Sequence, residues 1–167
     1  HMFSNTSYGQ SLPSLMDGVL VWADAERTGS TDEEDVSVIY SVRLGSTSIQ
    51  SIHTETYAHD PISNGQYTAW LDAHHSLQTK LYCMAQGASE PAPVAEGVVQ
   101  FGMGNKFIAY SKDEAIYLYR FDNKKTYKLS GEYEKAQFMG VSDGKVIWMD
   151  VTSRERDILK YSEVPDR

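Results

Sequence analysis

One pattern occurs four times along the chain, and this repeat limits the fold more than any other feature of the sequence. A turn that contains glycine is followed each time by an apolar segment, at 17–24, 64–72, 104–111 and 143–150. Asp-Gly or Asn-Gly between apolar runs indicates a hairpin, because such turns need residues that tolerate positive φ. All three tryptophans share one position in the pattern, and a tyrosine takes the fourth: Trp22, Trp70, Trp148 and Tyr110. We therefore expect an aromatic strand after each turn.

A second predicted strand, which carries tyrosine, follows each aromatic strand. These strands are at 36–42, 80–84, 115–121 and 157–161, with an outer strand at 125–129. Units of about 40–45 residues with four antiparallel strands are typical of β-propeller blades. A β-sandwich would not require the same register in every unit. The sequence therefore predicts an all-β, propeller-like array of about four four-stranded blades, and leaves open a closed ring, an open array or part of a larger propeller.

The repeat also predicts how the chain is divided. Residues 1–2 resemble a cloning scar, and residues 3–167 are expected to form a single propeller-like domain. Its units are expected at about 8–55, 56–96, 97–134 and 135–167. The last unit lacks an outer strand, which residues 3–10 could supply if the ring closes.

Charge and composition exclude several classes of function. With 15 Lys and Arg against 23 Asp and Glu, the net charge is −8, so binding to nucleic acid or to an anionic membrane surface is not expected. No run of apolar residues is long enough to insert into a membrane. The single cysteine, Cys83, excludes an internal disulfide and a cysteine-rich zinc site. We expect no cofactor.

The fourth unit resembles the TolB-type propeller repeat. The resemblance depends on the run GKVIWMD at 144–150 and on the run RDILKY at 156–161. The second and third units match the repeat more loosely, and the first departs from it through a long acidic insertion. The resemblance implies a β-propeller in an extracytoplasmic protein, either of the cell envelope or secreted, that binds other proteins. It implies no catalytic residues.

Propeller topology predicts where a binding site would lie. The loops between second and third strands and between consecutive blades emerge at one end of the blades, and loops on rigid strands commonly bind ligands. We call this end of each blade the loop face. The candidate binding residues there are Asp24, Asp32, Glu33, Glu34, Asp35, His59, Asp60, His74 and His75.

Two clusters within this set leave alternatives open. The acidic insertion at 24–35 is a solvated loop, a calcium site or a contact for a basic partner, although its spacing is not that of an EF-hand. The histidines at 53, 59, 74 and 75 are solvated loop residues, or else they bind zinc or act in acid–base chemistry. We assign no metal ligands.

Catalytic motifs are weak. No Gly-x-Ser-x-Gly elbow is present, and Cys83 is predicted to be buried within a strand. Asp24, Asp72 and Asp150 recur at one position of the repeat, which favours a structural role, although a hydrolase could use them. The recurring aromatic residues are expected in the core, whereas Tyr133 is among the unmatched tyrosines that could be exposed.

These observations predict a non-catalytic binding or sensor module of a bacterial envelope protein, which engages a protein, peptide or glycan through the loop face. One alternative is a hydrolase or metal-dependent enzyme that uses loop carboxylates and histidines. A second is a structural domain that orients a neighbouring catalytic unit. A homodimer through exposed sheet edges also remains open.

Overall fold

Every regular element that the structure describes is a β-strand. The structure is a computed structural model that describes residues 13–27, 35–54, 57–73 and 79–164. The strands in these residues are β1 (Ser14–Met16), β2 (Val19–Arg27), β3 (Asp35–Arg43), β4 (Ile49–His53), β5 (Ala58–Ser63), β6 (Tyr67–Asp72), β7 (Lys80–Ala85), β8 (Ala92–Glu96), β9 (Gln100–Met103), β10 (Phe107–Lys112), β11 (Ala115–Arg120), β12 (Thr126–Lys128), β13 (Ala136–Ser142), β14 (Lys145–Asp150) and β15 (Ile158–Glu163).

The strands form four antiparallel sheets, each built from consecutive strands. The chain divides into two compact units, residues 1–96 and 97–167. We call them unit 1 and unit 2; each contains two of the four repeats of the sequence. Unit 1 contains the sheets β1-β2-β3-β4 and β5-β6-β7-β8. Unit 2 contains the sheets β9-β10-β11-β12 and β13-β14-β15, so the last sheet has three strands among the described residues. This order, in which each strand pairs with the next along the chain, is that of propeller blades, and it confirms the predicted fold class.

The predicted turns form, with two different geometries. Asp17-Gly18 and Asp143-Gly144 both have positive φ at the two turn residues, between 47° and 74°. At the second turn only Gly65 has positive φ, and the Asn64 side chain accepts hydrogen bonds from the backbone N–H groups of Gln66 and Tyr67, at 3.0 and 2.8 Å. No helix in the described part of the chain is long and apolar enough to cross a membrane.

Each unit has its own apolar core between its two sheets. Because side chains alternate across a strand, each sheet turns every second residue toward the other sheet. The buried cluster of unit 1 consists of Val21, Ala23, Ile39, Ala58 and Trp70. The buried cluster of unit 2 consists of Phe107, Ala109, Ile116, Leu118, Ala136, Val146 and Trp148.

The repeated aromatic residues are buried, as predicted, and three of them stack on a tyrosine of the next strand. All four side chains are at most 5% exposed. The stacked pairs are Trp22 with Tyr40, Trp70 with Tyr82 and Tyr110 with Tyr117, with ring centroids 5.5 to 6.0 Å apart. Within the described sheets, Trp70 and Trp148 belong to the clusters between blades.

The fourth blade departs from this pattern. The residue opposite Trp148 is Lys160, whereas the tyrosine of this strand, Tyr161, lies opposite Ile147 and is 63% exposed. In the other three blades, a tyrosine lies opposite the repeated aromatic residue. The tyrosine of the fourth blade is shifted by one residue relative to these three, and a one-residue shift moves a side chain to the other face of the sheet.

Candidate functional site

The predicted acidic candidates of unit 1 are only partly described. Asp24 lies within β2, opposite Val38 on β3, and is 1% exposed. The strand continues to Arg27, so the prediction that the loop begins at Asp24 is wrong in this detail. Asp35 is the first residue of β3. Asp32, Glu33 and Glu34 lie outside the described residues.

The predicted histidine candidates are also only partly described. His74 and His75 lie outside the described residues. His59 and Asp60 lie on β5, where the His59 Nδ1 and Asp60 Oδ2 atoms are 3.0 Å apart. A register irregularity on this strand, together with a φ of 50° at Asp60, brings the two neighbouring side chains together. No group of three or more potential metal ligands occurs among the described residues.

A more extensive polar cluster lies at the loop face of unit 2. We call it the Lys160 cluster, and it comprises Glu134, Trp148, Asp150, Thr152 and Lys160. The Lys160 ammonium is 3.0 Å from Glu134 Oε2 and 2.7 Å from Asp150 Oδ2. The Trp148 indole N–H donates a hydrogen bond to Glu134 Oε1. The side chains of the two carboxylates are only 10% and 14% exposed, so two shielded acids share one ammonium and the three groups keep a net charge of −1.

The same cluster joins two loops. Asp150 Oδ1 accepts hydrogen bonds from the Thr152 backbone N–H at 3.0 Å and from its hydroxyl at 2.6 Å. The Thr152 hydroxyl in turn accepts the Lys135 backbone N–H at 2.8 Å, and the Val151 N–H donates to the Lys135 carbonyl. The connection between β12 and β13 is therefore fixed to the connection between β14 and β15.

These contacts keep the carboxylates ionised. Hydrogen bonds from Lys160 and Thr152 lower the pKa of Asp150 to about 2. Burial opposes ionisation of Glu134, but hydrogen bonds from Trp148, Lys160 and Gly131 outweigh it and lower the pKa of that carboxyl. The pKa of Lys160 is raised, chiefly by the hydrogen bond to Asp150. Groups with such pKa values do not exchange protons near neutral pH, so this arrangement positions charge and does not suit acid–base chemistry.

One side chain projects from this fixed loop. Tyr133 lies between Glu132 and Glu134 and is 85% exposed, the highest value among the large hydrophobic side chains of the described residues. The Glu134 carboxylate bonds back to the Gly131 N–H at 3.1 Å, which closes the loop below the tyrosine. The expectation that Tyr133 is exposed is confirmed. The Lys135 ammonium reaches Glu114 at 3.1 Å, so the turn between β10 and β11 meets the same loop.

A groove lies at the opposite end of the blades of unit 1, where the hairpin turns are. It encloses about 540 Å³ between the two sheets of this unit. Its walls come from the end of β3, from β4, from the turn at 64–66 and from the end of β7. Of the described residues that line it, Arg43 is the one that carries a charge.

The sequence reasoning missed both of these features. It did not select Glu134 or Lys160, although a lysine near the place where other blades have tyrosine was a signal. It did not select the groove, because all of its candidate residues were expected at the loop face. The sequence signal for the groove was on β3, where the alternate positions that begin with the apolar Ile39 continue with the polar residues Ser41 and Arg43.

Four consecutive antiparallel sheets with repeated aromatic strands define the class of this protein as a β-propeller-type fold. No protein-family model matches the chain, and no curated protein matches it. Solved structures do match. TolB from Acinetobacter baumannii superimposes with a TM-score of 0.66 at 12% identity, over 96% of this chain and 42% of that chain. The TolB-like resemblance in fold is thereby confirmed.

Two proteolytic enzymes contain similar folds. The β-propeller domain of the Trilobed protease from Pyrococcus furiosus matches with a TM-score of 0.63 at 9% identity, over 92% of this chain and 53% of that chain. The acylaminoacyl peptidase from Pyrococcus horikoshii matches with a TM-score of 0.59 at 10% identity, over 94% of this chain and 31% of that chain. The chain thus spans about half or less of the length of these structures, and the likeness concerns the fold alone.

Proposed function

We propose that this chain is a non-catalytic binding module of a cell-envelope protein and that it engages a protein partner through the loop face of unit 2. The observation that carries the proposal is Tyr133, an 85% exposed aromatic side chain at a loop held in place by the Lys160 cluster. Tyrosine is enriched among the residues that dominate binding energy at protein interfaces. A fixed loop also loses little conformational entropy when a partner binds.

The charges around the tyrosine support a protein partner. Glu132 is exposed beside Tyr133, Glu114 is exposed but paired with Lys135, and the single ammonium of Lys160 balances only one of the two charges on Glu134 and Asp150. The free charge next to Tyr133 is therefore mainly negative. A partner with basic residues around a hydrophobic pocket would complement this surface.

The pKa values favour binding over catalysis at this site. A general acid needs a carboxyl group whose pKa is raised toward neutrality, and the opposite shift occurs at Asp150 and Glu134. The proposed location in the envelope comes from the TolB-type resemblance of the repeat.

Site-specific crosslinking tests the proposal. A photoreactive phenylalanine analogue replaces Tyr133 in the native protein, and a matched variant carries it at Tyr161, which is 63% exposed on β15. After irradiation of living cells, the envelope and cytoplasmic fractions are separated and probed for adducts. We expect an adduct of defined mass in the envelope fraction from position 133, and a much weaker one from position 161.

A second variant tests whether the fixed loop matters. Glu134→Gln weakens the ion pair with Lys160, and we expect it to reduce the adduct from position 133 while the protein remains folded. Absence of an adduct at position 133, or equal adducts at both positions, would contradict binding through this face. An adduct found only in the cytoplasmic fraction would contradict the envelope location.

A further inference from the structure

The groove of unit 1 forms where the contact between two blades changes from apolar to polar. On β3 the residues that face the second sheet are Ile39, which is 1% exposed, and then Ser41 and Arg43 toward the turn. On the second sheet, Trp70 is followed in the same direction by Thr68. Faces that pack against each other are normally apolar throughout. The polar ends of these strands therefore leave an open, hydrated groove.

Hydroxyl and carboxamide groups dominate the polar wall of the groove. Besides several other serines, they include Ser41, Ser63, Thr68, Gln50, Gln66 and Gln86. The side-chain amides of Gln50, Gln66 and Gln86 have no hydrogen bond to another described residue. Each such group can both donate and accept hydrogen bonds. These three glutamines thus offer donors and acceptors that are not committed to another described residue, and they carry no negative charge.

The far wall of the groove is rigid. The Ser63 hydroxyl donates to the Tyr67 carbonyl at 3.1 Å and accepts the Gly65 backbone N–H at 3.2 Å. The Thr68 hydroxyl bonds to Ser63 at 3.0 Å. Together with the Asn64 turn, these bonds fix the backbone of Tyr67, a residue that lines the groove.

Arg43 places one positive charge in this neutral setting. Its guanidinium makes a long hydrogen bond of 3.4 Å to the Asp17 carbonyl and forms no ion pair with a carboxylate of the described residues. Nη2 lies against Gly65, where an added Cβ atom would be only 2.8 Å away. A planar guanidinium that has no counterion among the described residues is suited to bind a carboxylate or a similar planar or tetrahedral anion.

We propose that this groove binds an oligosaccharide that carries one anionic group. Sugar hydroxyls donate and accept hydrogen bonds in the same way as the serine and glutamine side chains of the wall. The apolar residues Val19, Met84 and Tyr67, which also line the groove, can contact the C–H faces of a sugar ring. Arg43 binds the anionic group. The volume of about 540 Å³ lies within the range of about 300–1,000 Å³ that is usual for small-ligand sites.

Three related sugars separate the contribution of the anionic group to binding from that of the neutral sugar. Binding of 3′-sialyllactose, which carries a carboxylate, is compared by titration calorimetry and NMR shifts with lactose 3′-sulfate and with neutral lactose. We expect at least one anionic sugar to bind about 10-fold more tightly than lactose, because a charge-assisted hydrogen bond is lost in the neutral compound. The two anionic sugars show whether the preferred group is a carboxylate or a sulfate.

Variants locate the site. Arg43→Gln should reduce the affinity for the anionic sugar to the affinity for lactose. Gln50→Ala should reduce the affinity for all three sugars. Arg156→Gln, which removes the same charge from an exposed position in unit 2, is the matched control and should bind as the unchanged protein does. Melting curves establish that each variant is folded.

The proposal is overturned if none of the three sugars binds at about 10 mM, or if Arg43→Gln and Arg156→Gln behave alike. Selective binding of an acidic peptide in place of the sugars would also overturn it. Because this groove lies in unit 1 and Tyr133 in unit 2, Arg43→Gln should leave the crosslink at position 133 unchanged. Failure here is therefore distinguishable from failure of the proposed protein-binding role.

Discussion

Replacement of Trp70 by alanine tests whether the repeated aromatic position holds each pair of blades together. Trp70 is 1% exposed, belongs to the buried cluster of unit 1 and stacks on Tyr82 at 6.0 Å with an interplanar angle of 22°. A buried indole removes about 150–250 Å² from water. At about 25 cal/mol per Å², this corresponds to about 4–6 kcal/mol, of which alanine retains a small part. We expect Trp70→Ala to cost about 3–5 kcal/mol.

Urea unfolding followed by circular dichroism measures this cost. With a slope of about 2 kcal/mol per M, the midpoint should fall by about 1.5–2.5 M. Tyr161→Ala removes an aromatic side chain that is 63% exposed and should change the free energy of unfolding by less than about 0.5 kcal/mol. A cost below about 1 kcal/mol for Trp70→Ala, or equal costs for both variants, would refute the argument that inter-blade burial of this residue stabilises the fold.

Three further outcomes can be measured. The folded-state pKa of Asp150 is lowered from 3.8 to about 2, so the stability that its contact with Lys160 contributes is present above pH 4 and is lost as the pH falls toward 2. In thermal melts, Asp150→Asn should therefore lose less stability on acidification than the unchanged protein does. An identical pH profile for the two proteins would contradict this. Burial raises the pKa of Cys83 to about 12, so a thiol reagent at pH 8 should react with it only after urea is added, and rapid labelling of the native protein would show that the thiol is accessible. Gly65→Ala should lower the melting temperature by several degrees, because φ is +82° and the new Cβ would displace the Arg43 side chain. Gly87→Ala is the control for backbone strain alone, because its φ is +79° but the space around it is open. It should therefore lower the melting temperature less than Gly65→Ala does.

The sequence predicted the architecture because its signal is local and repeated. The Asp-Gly and Asn-Gly turns, the aromatic strand after each turn and the length of the unit together indicate propeller blades. Burial of Trp70 and Trp148 also followed from their recurrence, since a large apolar side chain at the same place in every unit must face a common core.

The candidate site was less predictable, because it depends on register and on contacts between distant segments. The sequence predicted a tyrosine-bearing strand in the fourth blade but not its register, which is shifted by one residue relative to the other blades and puts Lys160 opposite Trp148. That shift brings an ammonium between Glu134 and Asp150, which are 16 residues apart in sequence. The resulting pKa values and the fixed position of Tyr133 cannot be inferred from composition.

The sequence by itself determined the β-propeller fold, the four repeated units and the aromatic core, because periodicity of side chains dictates which face of a strand is buried. Only the tertiary structure decided which polar residues meet. The Lys160 cluster requires two loops to approach within hydrogen-bond distance, and the groove beside Arg43 requires two sheets to separate at their turn ends. Both arise from the packing of segments that are remote in sequence, and such contacts leave no periodic signal along the chain.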